Sequence, residues 1–152
     1  MLTVQEYAAR AVERQAADLV RALAALPEDR RHWQPLDRGR TATDQVAECA
    51  MINGVSADIV AQQAWGDIDM AERRRAQAAL DTPQKAEAAL KESTARLVAG
   101  IRATPAAALE ALVTMPWETL PLADVFLMPF WNMAYHEGQV NYIGTLAGEK
   151  AA

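Results

Sequence analysis

Residues 125–144 read VFLMPFWNMAYHEGQVNYIG, and their periodicity is the starting point for the architecture of the chain. Val125, Met128, Asn132, His136, Gln139 and Ile143 step by three or four, the spacing that aligns side chains on one face of an α-helix. His136, one of two histidines in the chain, is thus expected to point inward with Asn132 and Gln139 on the same stripe. The helix is predicted from near Pro121 to about Leu146. Pro129 lies inside that span, where its missing N–H either kinks the helix or marks a late start.

The same period recurs upstream. Val12, Ala16, Leu19, Leu23 and Leu26 form a stripe opposite Glu13, Arg14, Asp18 and Arg21, which predicts a first helix from about Thr3 to about Ala25, closed by Pro27. After a polar connection, Thr41 is a suitable cap for a second helix running to about Trp65, with Glu48, Ile52, Val55 and Ile59 on one stripe. Gly66 breaks it, and residues 66–81 read as a long, partly helical crossover. Pro83 suits the first turn of a third helix, followed by Ala86, Leu90, Leu97 and Ile101. Thr104-Pro105 opens a short helix expected to end near Leu112, and VTMPWETLP, residues 113–121, is expected to form a small extended turn. Four long amphipathic helices bury their stripes most economically as an all-α four-helix bundle with a long crossover between helices 2 and 3. At 152 residues the chain suffices for one core, so a single domain is expected over residues 1–152.

Composition narrows the function. The net charge of -5 disfavours a surface that tracks nucleic-acid phosphates, and the run Arg73-Arg74-Arg75 follows Glu72 in a solvated stretch. No run approaches the roughly 20 apolar residues of a membrane span, and Met1–Arg10 lacks the basic start and apolar core of a signal segment. The one cysteine, Cys49, permits no internal disulfide, which fits a cytoplasmic location.

Chemistry concentrates on two stripes. Glu48 sits on an otherwise apolar face, and a carboxylate placed there needs a hydrogen-bond partner, a cation or water. Two readings follow. In one, Glu48, Asn132, His136 and Gln139 form a satisfied polar cluster that fixes helix register. In the other, Asn132 and His136, one turn apart, combine with Glu48 as three ligands for a divalent ion, zinc, nickel or manganese, and Gln139 orients a ligand or a nearby water.

LPEDRRHWQPLDRGRTATDQVAECA at residues 26–50 and YHEGQVNYIGTLAG at residues 135–148 together resemble the DinB-like superfamily. In that family a leucine-proline turn, a tryptophan-proline segment and a Gly-Arg-Ser/Thr helix start lead to a metal-binding histidine, and the last helix carries His-x-x-x-His followed by Gly-Gln. On that resemblance His136 falls on the second histidine of the pair, followed by Gly138-Gln139, whereas Asn132 replaces the first and Glu48 replaces the histidine of helix 2. The resemblance implies a four-helix bundle, commonly a homodimer, and a metal-dependent transferase or hydrolase acting with a low-molecular-weight thiol or another small molecule. The altered ligands imply the alternative: a non-catalytic helical dimer or small-ligand-binding module.

Cys49 is rotated by about 100° from the ligand position and reads as a buried apolar residue. His32 reads as a surface residue, Trp33, Trp65, Trp117 and Trp131 as packing residues, with Trp117 and Trp131 near the expected mouth of the bundle where they could instead shape a pocket, and Tyr135 as packed on a neighbouring helix. Val46, Met51 and Val60 widen the apolar face of helix 2 beyond one stripe, which predicts a homodimer covering that width.

Overall fold

The computed structural model describes residues 1–148. Positions 149–152 of the expected domain lie outside the described residues.

Three of the four long helices start where a side chain satisfies a free backbone N–H. Helix α1, Val4–Ala25, is capped by Thr3, which accepts from the Glu6 amide, and α2, Ala42–Gln62, by Thr41, which accepts from the Asp44 amide. Helix α2 stops three residues earlier than expected because Gln63 is left-handed (φ 53) and Gly66 follows at φ 61. The crossover holds α3, Met70–Ala78, where Asp69 accepts from the amides of Ala71 and Glu72. Thr82 caps α4, Pro83–Ala103, with Pro83 in its first turn as predicted.

The expected short helix after Thr104 is only one tight turn, Ala106–Ala108. The carbonyls that would extend it are used elsewhere: Leu109 accepts from the Ala123 amide and Ala111 from the Leu122 amide. These bonds clamp the expected extended segment, which is an antiparallel hairpin of β1, Leu112–Thr114, and β2, Thr119–Pro121, with Val113 opposite Leu120. The last helix is divided. Leu122–Val125 forms α5, and α6 runs from Met128 to Leu146 with Pro129 in its first turn, so the proline marks a late start and not a kink.

Helix α4 runs antiparallel to α1: Gln5 donates to the Thr104 carbonyl, and Arg102 binds Glu6 and Glu13. It runs parallel to α2, since Asn53 meets Thr94, Arg96 reaches the Gly54 carbonyl and Asp58, and a Cβ on Gly100 would lie 3.3 Å from Val60. Helix α2 is antiparallel to α6, with Gln45 beside His136 and Asn53 beside Met133. A parallel pair of consecutive long helices cannot be joined by a tight turn, which explains the crossover. Helix α3 straps it to α2 through Arg73–Asp58 and Gln77–Asp44.

The predicted stripes of α1 and α4 are buried, and Phe126, Leu97, Ile101, Ile59 and Met133 fill the centre. Val46 and Val60 are buried too, at 0% and 3% exposure. Met51, the third residue of that width, is half-buried against the core, so most of the apolar width of α2 is covered within one chain.

Candidate functional site

His136 lies near the middle of α6, 3% exposed, and both ring nitrogens face oxygen. Its Nδ1 is 3.0 Å from Gln45 Oε1 and 2.9 Å from Gln139 Oε1. An imidazole nitrogen between two amide oxygens acts as the donor, so Nδ1 carries a proton. Nε2 is 3.2 Å from Glu48 Oε1, and because a carboxylate only accepts, this contact is a hydrogen bond when Nε2 carries a proton as well.

The other Glu48 oxygen receives the Arg40 guanidinium, whose Nε also binds Asp44 at 2.7 Å. Gln77 on α3 then donates to Asp44 at 3.2 Å. The result is a chain of contacts, Gln139–His136–Glu48–Arg40–Asp44–Gln77, that ties α6, α2, the segment before α2, and α3 together. Burial by itself would raise the Glu48 carboxyl, but the Arg40 guanidinium, and after it His136, outweigh this and hold it below the usual carboxylate range. Burial, with Glu48 adding to it, pushes the Cys49 thiol above its ordinary value. Fully enclosed in the core, Cys49 has no thiolate to offer as a nucleophile near neutral pH.

The structure brings two of the expected ligands together, Glu48 and His136. Asn132 sits one turn before His136, and its Oδ1 is buried with no hydrogen-bond partner. Gln139 contacts the His136 ring directly. Sequence reasoning missed Gln45, buried at 3%, and Arg40. The four-residue steps Arg40, Asp44, Glu48 were the available signal. Asn53 was also missed: fully buried on α2, it donates to Thr94 at 2.9 Å while its Oδ1 has no partner.

His32 is exposed, as expected. Trp33 and Trp65 pack partly buried against the core; Trp117 meets Trp65 edge to face at 5.1 Å between centroids, but Trp117 and Trp131 stay outside the core. They are 55% and 76% exposed, because the hairpin and the first turn of α6 hold them at the surface. Tyr135 is 66% exposed and meets the neighbouring His136 ring edge to face, at 5.2 Å between centroids.

The donor set is a poor match to a divalent ion. Among the described residues no three His, Cys, Asp or Glu side chains converge. Glu48 is the one carboxylate beside His136, and Arg40 already neutralises it. A dication there would meet a guanidinium at close range and gain only a neutral amide, Asn132, as third ligand.

The match to known proteins follows the same outline. The sequence model of the DinB superfamily matches residues 11–140. No curated protein matches the chain in sequence. The fold is similar to that of the mycothiol-dependent maleylpyruvate isomerase, solved in mutant form (TM-score 0.75) and without that designation (TM-score 0.71), each at 17% identity over 92% of this chain. This chain spans 63% of that protein's length. The fold is similar as well to YfiT from Bacillus subtilis, described as a probable metal-dependent hydrolase with an unusual four-helix bundle topology, at 15% identity and TM-score 0.75 over 96% of this chain and 89% of YfiT. The sequence model covers most of the chain, and this chain belongs to the DinB superfamily.

Proposed function

We propose that this chain, acting as one domain over residues 1–152, is a metal-independent, small-ligand-binding member of its superfamily. In this reading Glu48, His136 and Arg40 form a closed structural cluster at the position of a former metal centre. The observation that carries it is the Arg40 guanidinium on Glu48: a side chain supplies the positive charge that a metal would otherwise bring. Thermal unfolding with zinc, nickel or manganese tests the reading, because a ligand that prefers the native state must stabilise it. Saturation to 100 times Kd would add about 2.7 kcal/mol, roughly 5–10 °C at this size. The proposal expects no such rise, and a rise that disappears in His136→Ala overturns it.

One observation favours a second reading, a metal-dependent transferase or hydrolase acting with a low-molecular-weight thiol. The orphaned Asn132 Oδ1 and the Nδ1-anchored ring of His136 suit a ligand set of Glu48, Asn132 and His136. The same scan decides between them.

A homodimer remains part of the proposal on a different surface from the one first expected. Tyr135, Tyr142 and Leu146 expose apolar area along α6 at 66%, 62% and 48%, and Glu137 is the only Asp, Glu, Lys or Arg of that helix. Among the described residues no helix is long and apolar enough to cross a membrane, and a buried unpaired cysteine supports placing the protein in the cytoplasm.

A further inference from the structure

The hairpin and the start of α6 enclose a cleft of about 460 Å³, within the ordinary range for small-molecule sites. Leu120, Leu127, Met128 and Trp131 form its apolar part, and Glu118 and Asp124 are the charged residues that line it. No Lys, Arg or His lines the cleft. Among the described residues neither carboxylate takes part in an ion pair, in contrast to Glu6, Glu13, Asp44, Glu48 and Asp58, which all hold arginines. The Trp131 indole is 76% exposed although a large apolar side chain gains by burial, so the cleft presents an aromatic face together with two negative charges.

We infer that this cleft binds a small organic cation, an ammonium group on an apolar body of roughly ten non-hydrogen atoms. The body lies on Leu120, Leu127 and Met128. The ammonium sits near the Trp131 ring, whose negative face attracts cations, within reach of Glu118 and Asp124. The net charge of -5 adds to the attraction for cations and opposes anions. A neutral ligand of the same shape keeps the apolar contact and loses the rest. The inference rests on the binding-module reading and names its ligand class, while the His136 cluster takes no part in it.

Calorimetric titration with 2-phenylethylammonium, 2-phenylethanol and phenylacetate tests it. One ring-to-cation contact and two exposed carboxylates together favour the cation over the alcohol by about tenfold at low salt, and added salt should narrow that ratio. Phenylacetate should bind weakest. In the double variant Glu118→Gln, Asp124→Asn the cation and the alcohol should bind within about threefold of each other, and Trp131→Ala should weaken the cation. All three positions are exposed, so the variants keep the fold. Equal binding of alcohol and cation, or a preference that survives the double variant, overturns the cation inference and leaves the binding-module reading standing. Failure of all three probes to bind overturns the cation inference alone, and the metal scan decides the binding-module reading.

Discussion

Glu48→Leu and Glu48→Gln should differ by about 2 kcal/mol. His136 is 3% exposed and its Nε2 meets only Glu48 among the described residues. Leucine leaves that nitrogen buried and unpaired, which costs about 1–3 kcal/mol. It also removes the ion pair with Arg40, worth about 0–1 kcal/mol at a partly exposed position, although Arg40 keeps Asp44. Glutamine preserves a polar contact to both neighbours and should cost less than about 1 kcal/mol. At about 2–4 °C per kcal/mol for a chain of this size, the leucine variant should unfold about 4–8 °C below the glutamine variant at pH 7, measured by circular dichroism. The pH dependence has a definite sign. Arg40 and His136 hold the Glu48 carboxyl below its usual range, so ionised Glu48 stabilises the fold at pH values above its unfolded pKa of about 4.3. That contribution is lost as pH falls through the lower folded value. The gap between wild type and Glu48→Gln should shrink from about pH 5 downward. Equal stability of the leucine and glutamine variants at pH 7 would mean that something else satisfies His136 Nε2, and the closed-cluster argument would fall.

Two further outcomes are expected. Leu97, fully buried on α4, should cost about 2–5 kcal/mol as Leu97→Ala through lost transfer and a cavity, read as a lower denaturant midpoint at unchanged slope. Cys49 is enclosed and its thiol is pushed upward, so a thiol-specific disulfide reagent should label the native protein only at the rate of its opening and unfolded protein at once; rapid stoichiometric labelling of native protein would contradict the burial.

The parts of the fold that follow from spacing were legible. The stripes of Val12–Leu26 and Ala86–Ile101, the cap Thr41 and the proline start at Pro83 depend on neighbours within two helical turns. Long-range hydrogen bonds were not legible: the Leu109 and Ala111 carbonyls abandon a helix for amides more than ten residues ahead. The site divides in the same way. His136 and Glu48 were found because each is polar on an apolar stripe. Gln45 lies one turn before Glu48 on the same face and was missed because the apolar residues that mark the stripe, Ile52, Val55 and Ile59, all follow Glu48; Arg40 was missed because it lies outside any helix and reaches eight residues forward. Trp131 and Tyr135 were misjudged because an aromatic residue on a helix gives no local sign of which face another helix will cover.

The order of the helices around the bundle bears on how the chain folds. In an up-and-down bundle each helix packs on the next through a short turn, and hairpins form before distant segments meet. Here α1 and α2 lie nearly diagonal and have few contacts, and the contacts that join the bundle link residues far apart in sequence: Asn53 with Thr94 across 41 positions, Asn53 with Met133 across 80, and Gln15 with Glu137 across 122. Closing such loops costs chain entropy before any core is gained. The capped helices can form in about a microsecond, but their assembly waits on encounters across most of the chain, so this all-helical protein should fold more slowly than helical content alone would suggest.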